Sequence, residues 1–264
     1  MKKILSFLLL GVMALSAKEY YSKVEPYEIL TISSNVSGQV TFADEQKQGE
    51  RLGKSAYIKI DDKLDRIELN NVRKKIALLK NTLKLNEAMQ KNYEEILAKK
   101  QKNYDNIKEL KTKSVIEKDR EFYDLVSTQN TLISTAKEVD NLKVQINDLN
   151  LRSEQLRKSI ADKSLSAKGY VLYALNVKKG QVVNPGMTLS QVADVSKAKL
   201  TIFLNAKDMQ RAKGAIIYLN GKKTDYKVDR LWSIADATHL SSYKAEIIIK
   251  APKHFSELMK VELK

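Results

Sequence analysis

The chain contains no cysteine, and its 264 residues include only three prolines, nine glycines and one tryptophan. Without cysteine there is no disulfide, no thiolate nucleophile and no cysteine-based zinc site. The two histidines, His239 and His254, are not spaced for joint metal binding, and the six methionines are scattered along the sequence. We therefore expect no cofactor and no metal.

Catalytic sequence motifs are also missing. The nucleophile-elbow, Walker A and dinucleotide-binding glycine patterns do not occur, so we do not expect an enzyme.

The chain is strongly basic. Its formal net charge of +15 is compatible with binding to nucleic acid, to anionic lipid or to an acidic protein surface. The lysines, however, alternate with acidic residues, which is typical of a solvated helix face. No aromatic stacking platform accompanies them, so no nucleic-acid partner is expected.

Two heptad runs fill the middle of the chain, and residues 64–163 contain neither proline nor glycine to break a helix. The first seam comprises Leu69, Val72, Ile76, Leu79, Leu83, Asn86, Gln90, Tyr93, Leu97, Lys100, Tyr104 and Ile107. The second comprises Leu125, Thr128, Leu132, Thr135, Val139, Leu142, Ile146, Leu149, Ser153, Leu156 and Ile160. Mostly apolar residues at this spacing predict a left-handed coiled coil. Each arm of about 45 residues would span roughly 70 Å.

A turn is predicted between the two runs, near residues 111–115. Thr112 or Ser114 can cap the second helix, and Glu117 follows Ser114 at capping-box spacing. A short connection favours antiparallel neighbours, which predicts a helical hairpin. The alternative is two helices that pair with other chains.

Strand-like, glycine-marked segments lie on both sides of the heptads. Gly38, Gly49 and Gly53 mark the first segment, and Gly169, Gly180 and Gly186 mark the second. This order predicts one β module that is interrupted by the hairpin. Residues 200–263 then alternate strand patterns with one short helix. Residues 21–28 are candidates for pairing with the C-terminal strands.

The N-terminus carries a targeting pattern. Lys2 and Lys3 precede an apolar run from residue 4 to residue 15, and small residues follow. This predicts an export signal at residues 1–17 that is cleaved, because the run is short for a bilayer span. An uncleaved anchor is the alternative, and the absence of cysteine excludes a lipoprotein anchor.

The segment from Gly169 to Val195, and above all the string Gly180-Gln181-Val182-Val183-Asn184-Pro185-Gly186-Met187-Thr188-Leu189, resembles the periplasmic adaptor subunits, or membrane fusion proteins, of the HlyD type. The resemblance implies an α+β fold in which an antiparallel coiled-coil hairpin is inserted into a split lipoyl-like β-sandwich, followed by a small β-barrel. The implied segments are residues 28–62 and 164–196 for the two lipoyl-like halves, 63–163 for the hairpin and 197–264 for the barrel. Gly38, Gly49, Gly169, Gly180 and Gly186 would be the structural glycines.

The resemblance also implies a function in the periplasm of a Gram-negative bacterium. Such an adaptor links an inner-membrane transporter, here of the resistance-nodulation-division type, to an outer-membrane channel of the TolC type in a tripartite efflux pump. It would form a ring, as a hexamer or a trimer of dimers. The alternative within this class is an adaptor of an ATP-driven export or type I secretion system. A lipoyl-type carrier is not expected, because the helices enter at the loop where a carrier lysine would lie.

Many members of this family carry an Arg, a Leu and a Ser around the hairpin tip that meets the channel. Leu110 fits the Leu position, whereas Asn106 and Glu117 occupy the Arg and Ser positions. The resemblance therefore places the partner contact in the tip. The predicted contact residues are Asn106, Leu110, Lys113, Ser114, Val115 and Glu117.

Overall fold

The computed structural model describes residues 18–235, 239 and 242–264. The predicted export signal at residues 1–17 lies outside this part of the chain. The strands are β1 (Lys18–Ser33), β2 (Gly38–Ala43), β3 (Ile58–Ile60), β4 (Ser164–Leu165), β5 (Val171–Leu175), β6 (Val182–Val183), β7 (Thr188–Leu204), β8 (Ile217–Leu219), β9 (Lys222–Lys223), β10 (Arg230–Ala235), β11 (Tyr243–Lys250) and β12 (Leu258–Leu263). The helices are α1 (Lys63–Lys108), α2 (Val115–Asp162) and α3 (Ala206–Ala212).

Helices α1 and α2 form the predicted antiparallel hairpin. Near its root, Arg152 pairs with Glu68 at 2.6 Å, and near its tip Lys100 pairs with Asp124 at 2.7 Å. All residues of the two predicted seams are buried or half-buried, which confirms the heptad assignment. With 46 and 48 residues, the helices extend about 70 Å from the sheets.

Two neighbouring aspartates lie at the start of α1. Asp62 is the N-cap residue, but its side chain makes no capping hydrogen bond. It pairs instead with Arg66 at 2.6 Å. The neighbouring Asp61 accepts a hydrogen bond from the backbone N–H of Lys63 at 3.0 Å, so it is Asp61 that satisfies a donor of the first turn.

A four-stranded antiparallel sheet in the order β4-β3-β2-β6 joins chain segments from both sides of the hairpin. Strand β2 pairs with β6 and β3 pairs with β4. Both segments also contribute to one hydrophobic core, which contains Val40, Leu52, Tyr57, Ile58, Ile60, Leu172, Val177, Val183, Leu189 and Val192. The hairpin is therefore an insertion into a single β module, as its sequence order predicts.

A second sheet is built around the long strands β1 and β7. Its order is β10-β11-β7-β1-β12-β8-β9, with β5 also paired to β7. The pairing of β1 with β7 shifts register between Pro26 and Glu28, which lie opposite Ala198 and Asp194. This irregularity interrupts the pairing near the middle of β1. Beyond it lies a second core, comprising Val24, Ala198, Leu200, Ile202, Leu204, Ala212, Ile217, Ala245, Ile247, Ile249 and Val261.

Strand β1 does pair with the C-terminal strand β12, but through a segment that begins before the predicted residues 21–28. Residues Lys18–Lys23 lie opposite Leu258–Leu263, whereas the rest of β1 pairs with β7. The short helix α3 follows β7 directly, and the Asn205 side chain caps it by accepting a hydrogen bond from the Asp208 N–H at 2.8 Å.

Candidate partner-binding site

The hairpin tip is a six-residue connection, residues 109–114, that leads into a capped helix. The Ser114 hydroxyl accepts a hydrogen bond from the Glu117 N–H at 3.3 Å, and the Glu117 carboxylate accepts one from the Ser114 N–H at 3.0 Å. This reciprocal arrangement is the predicted capping box. It fixes the first turn of α2 and therefore the direction of the side chains that follow.

Charges reinforce the turn. The backbone hydrogen bond from Ser114, together with the side-chain bonds from Lys113 and Ser114, lowers the pKa of Glu117 from 4.5 to about 2. Lys113 lies 3.2 Å from the same carboxyl group. On the other helix, the Lys108 carbonyl accepts a hydrogen bond from Lys118 Nζ at 2.8 Å, which satisfies a free carbonyl at the end of α1.

The structure brings three of the predicted contact residues together. Asn106, Lys113 and Glu117 line a shallow cavity of about 290 Å³, with Asn103, Ile107, Arg120 and Glu121 completing its wall. Ser114 lies behind them as the cap. Leu110 and Val115 do not line this cavity but are exposed beside it. The predicted residues thus form two adjoining surfaces. Asn106, Lys113 and Glu117 line a polar notch. Leu110 and Val115 belong to an apolar margin beside it.

One residue of this margin, Ile116, is not among the predicted contact residues. Ile116 has 82% of its surface exposed, more than Val115 at 72% or Leu110 at 45%. An exposed aliphatic pair on a capped turn is available for contact because the hairpin's own packing does not use it. Ile116 lies outside the heptad seam, so an aliphatic residue at this position indicates an exposed apolar side chain. It could therefore have been recognised from the sequence.

The predicted structural glycines lie in the β module, away from the tip. Gly49, Gly169, Gly180 and Gly186 are in turns with φ between 83° and 94°, the region that favours glycine. Gly38 begins β2, and a Cβ atom there would lie 2.6 Å from Ile60 Cγ2. These glycines shape the turns and close contacts of the module.

A second exposed surface runs along the outside of α1. Leu78, Leu85, Met89 and Ile96 are exposed, and each is separated from the next by four or seven residues. This spacing places them in one stripe, away from the seam with α2.

Two features were searched for in the part of the chain that the structure describes: a group of metal ligands and a membrane-spanning helix. Over residues 18–235, 239 and 242–264, no three or more His, Cys, Asp or Glu side chains are grouped so that they could hold a metal ion. In the same part of the chain, no helix has both the length and the apolar character that crossing a bilayer requires.

No protein-family profile matches the sequence, and no curated protein matches it either. Solved structures do match its fold. The crystal structure of MacA from Actinobacillus actinomycetemcomitans has a TM-score of 0.70 at 16% identity, covering 94% of this chain and 78% of that chain. The membrane fusion protein Spr0693 from Streptococcus pneumoniae R6 has a TM-score of 0.63 at 8% identity, with coverages of 94% and 98%.

A MacA–MexA chimera that contains the Pseudomonas aeruginosa MexA α-hairpin domain gives a TM-score of 0.60 at 17% identity, with coverages of 94% and 81%. The chain therefore has the fold of a membrane fusion protein, with a long helical hairpin joined to antiparallel sheets. The resemblance predicted from the residues between Gly169 and Val195 is confirmed at the level of the fold.

Proposed function

We propose that this protein is a periplasmic adaptor that links an inner-membrane transporter to an outer-membrane channel in a tripartite efflux system. The observation that carries the proposal is the tip, where Val115 and Ile116 are exposed on a rigidly capped turn about 70 Å from the sheets. A surface held so far from the body of the protein is suited to contact with a distant partner. In this role the protein acts by binding alone, without catalysis, a cofactor or nucleic acid.

The tip is proposed to bind an outer-membrane channel of the TolC type. Its apolar margin would pack against the channel, and its notch would accept polar groups from it.

The two sheets are proposed to serve the transporter side. The four-stranded sheet and its core would be the lipoyl-like domain, and residues 197–264 would be the β-barrel domain that is seated on the transporter. The sequence pattern from Gly180 to Leu189 supports this assignment, and the same resemblance favours a transporter of the resistance-nodulation-division type. Ile216 lies exposed at the end of the sheet remote from the hairpin, where its N–H donates to the Lys264 carbonyl.

Several copies are proposed to stand side by side as a ring, a hexamer or a trimer of dimers. The stripe on α1 supports this arrangement because Leu78, Leu85, Met89 and Ile96 are exposed on it. Replacing Leu85 and Met89 by glutamate should shift the protein to monomer in light scattering at a concentration where the wild type self-associates. The matched exposed changes Lys84→Glu and Lys91→Glu should not.

Photo-crosslinking in the native host tests the adaptor role. A crosslinking amino acid at position 116 should capture an outer-membrane channel, and one at position 216 should capture an inner-membrane transporter. Capture of the same partner from both positions, or of soluble proteins only, would contradict the proposal.

The energy source of the transporter is tested separately. Loss of export on adding a protonophore identifies a proton-driven transporter, whereas export that persists until ATP is depleted identifies the ATP-driven alternative.

A further inference from the structure

A concave surface lies at the junction between the β module and the part of the second sheet that encloses the second core. Here Glu25 of β1 and Ile248 of β11 lie opposite Lys199 of β7, one on either side of it, so the side chains of this row point to one face. The other face carries the second core, which includes the neighbouring Ala198 and Leu200. The row of Lys199 is therefore on the outside of the sheet.

An apolar cavity of about 480 Å³ lies on the side of this row that faces the β module. Its apolar lining consists of Ile29, Val171, Tyr173, Ala193, Val195 and Phe255. Ile29, Ala193 and Val171 lie side by side on β1, β7 and β5, on the face that points away from the core of the β module. Tyr173 is 60% exposed and Ile29 is 46% exposed, so this wall is open to solvent. A cavity of this size suits the apolar body of a small molecule.

Phe255 reaches the cavity from the segment that precedes β12. Its ring packs against the second core, and the N–H of the next residue, Ser256, donates to the Val24 carbonyl at 2.8 Å. The paired strands β1 and β7 run through both the β module and the second core, so they hold the remaining walls in a fixed relation. The cavity is therefore built into the fold, which lowers the cost of binding a ligand.

The charged groups around the apolar cavity balance one another. Lys23 and Glu25 line it with opposite charges. Lys199 also lines it, but its Nζ lies 3.9 Å from Oε1 of the nearly buried Glu246. The apolar cavity therefore favours neither an anion nor a cation.

A polar cavity of about 340 Å³ adjoins the apolar one, because Lys199 lines both. Its charged lining residues are of both signs: Lys199, Arg230, Glu28, Asp229 and Glu246. Asp229 Oδ2 accepts a hydrogen bond from the Ile248 N–H at 2.7 Å. Arg230 and Glu28 are exposed, and neither forms an ion pair within the part of the chain that the structure describes. One unpaired cation and one unpaired anion thus face the same cavity.

We propose that the two cavities form one binding site for a zwitterionic amphiphile, a small molecule with an apolar body and a head group that carries one positive and one negative charge. The body would lie against Ile29 and Tyr173, and the head group between Arg230 and Glu28. Burial of the body supplies affinity, and the paired charges of the head group supply selectivity. The inference goes beyond the adaptor role, and its test uses the purified protein alone, so either can fail without the other.

Calorimetric titration of the full chain tests the proposal. Dodecylphosphocholine is zwitterionic, and it is compared with dodecyl maltoside, dodecyltrimethylammonium and dodecyl phosphate, which carry the same alkyl chain on an uncharged, a cationic and an anionic head group. All are used below the concentrations at which they form micelles. We expect saturable binding of dodecylphosphocholine at a single site, about tenfold tighter than that of the other three compounds. Trp232, the only tryptophan, lies two residues from Arg230 on β10, so its emission should change during the titration.

Two variants separate the roles of the body and the head group. Tyr173→Ser should weaken dodecylphosphocholine binding about tenfold, whereas Tyr21→Ser should not, because Tyr21 is 59% exposed and lines neither cavity. Arg230→Gln should abolish the preference for the zwitterionic over the cationic compound, since it removes the partner of the negative group. Its matched control is Arg73→Gln, an exposed change on α1 that should keep the preference.

The wild-type comparison decides the question even if a variant does not fold. Equal affinity for the zwitterionic, uncharged and cationic compounds, or no saturable binding of any of them, would overturn the proposal. Tightest binding of the anionic compound would overturn it too, because the net charge of +15 alone accounts for that result. A folded Tyr173→Ser protein that binds dodecylphosphocholine as tightly as the wild type would also overturn it.

Discussion

Lys163 Nζ lies 2.9 Å from Asp65 Oδ2 and joins the end of α2 to the first turn of α1. The Ser159 hydroxyl donates to the same carboxylate oxygen at 2.7 Å. The Lys163 carbonyl accepts a hydrogen bond from the Ile60 N–H at 2.8 Å, which connects this network to β3. The root of the hairpin is thus fixed to the sheet at one point, where both helices and a strand meet.

Replacing Asp65 by asparagine should destabilise the protein by about 1–2 kcal/mol at pH 7, since it leaves the nearly buried Lys163 ammonium without its charged partner. Partial burial alone would raise the pKa of Asp65, but the hydrogen bonds from Ser159 and Lys163 outweigh it and hold the pKa below its ordinary value of 3.8. The carboxylate therefore stabilises the folded state fully above pH 3.8, and this contribution is lost as the pH falls through the lowered pKa. Urea unfolding of both proteins at pH 7 and below pH 3 measures the difference.

The exposed Asp140 on α2 provides the control, because Asp140→Asn removes a charge from the same hairpin away from the root. It should change the unfolding free energy by less than about 0.5 kcal/mol. A gap between wild type and Asp65→Asn that stays constant from pH 7 to below pH 3 would mean that the carboxylate does not carry the effect.

Gly38→Ala should destabilise the β module by about 1–3 kcal/mol. The new Cβ would lie 2.6 Å from Ile60 Cγ2, and the φ of +156° is rarely adopted by residues with side chains. Gly53→Ala is the matched change, because nothing lies within 4 Å of its added Cβ and its φ is ordinary. Thermal unfolding should show a lower Tm for the first variant and an unchanged or slightly higher Tm for the second. Equal Tm values would contradict a close approach between Gly38 and Ile60.

The hairpin could be predicted from the sequence because its determinants are local. A seam residue such as Leu69 or Leu142 is recognised by its spacing from its neighbours, and the Ser114–Glu117 pair needs only three residues. The insertion into one β module was also predictable, since glycine-marked segments recur on both sides of the helices. The exposed Ile116 could have been found by the same local reasoning, as an aliphatic residue outside the seam.

The ends of the strands could not be predicted from local sequence patterns in the same way. The apolar alternation near residues 187–192 and 200–205 indicates two separate strands, whereas β7 runs continuously from Thr188 to Leu204. The polar stretch between them resembles a turn, and Asp194 Oδ1 does accept a hydrogen bond from the Ser196 N–H at 2.9 Å. This contact forms the bulge but does not end the strand. The reason is that β1 pairs with β7 both before and after the contact, and β11 pairs with the part of β7 that follows it. Such pairing depends on residues far away in the sequence.

Ser114→Ala should loosen the first turn of α2 and raise the pKa of Glu117 from about 2 toward its ordinary 4.5, because a hydroxyl donor to the carboxylate is lost. In the wild type, Glu117 stabilises the turn fully above pH 4.5, and this contribution disappears as the pH falls from 4.5 to about 2. Carbon-detected NMR of the Glu117 carboxyl group measures the pKa, and amide exchange at residues 115–118 reports the loosening. Ser127→Ala, a change at an exposed position inside α2, should alter neither quantity. An unchanged Glu117 pKa in Ser114→Ala would show that the Ser114 hydroxyl does not contribute to lowering it.

Under the proposed adaptor role, a charge in the apolar margin of the tip should abolish export while the amount of folded protein stays the same. Leu110→Asp and Ile116→Asp each place a carboxylate where the partner would offer an apolar surface, and burying an unpaired charge is costly. Ile116 is 82% exposed, so its replacement removes little packing from the folded hairpin, whereas Leu110, at 45%, also loses part of its contact with the protein. Export of a pump substrate from cells and immunoblotting of the adaptor measure the two quantities.

The matched control is Leu64→Asp, because Leu64 is 78% exposed and lies in the first turn of α1, where a negative charge is favourable. It introduces the same side chain at the opposite end of the hairpin and should leave export intact. If both tip variants export as well as wild type and Leu64→Asp, the apolar margin has no part in binding the channel, and the contact must be sought on the sides of the helices.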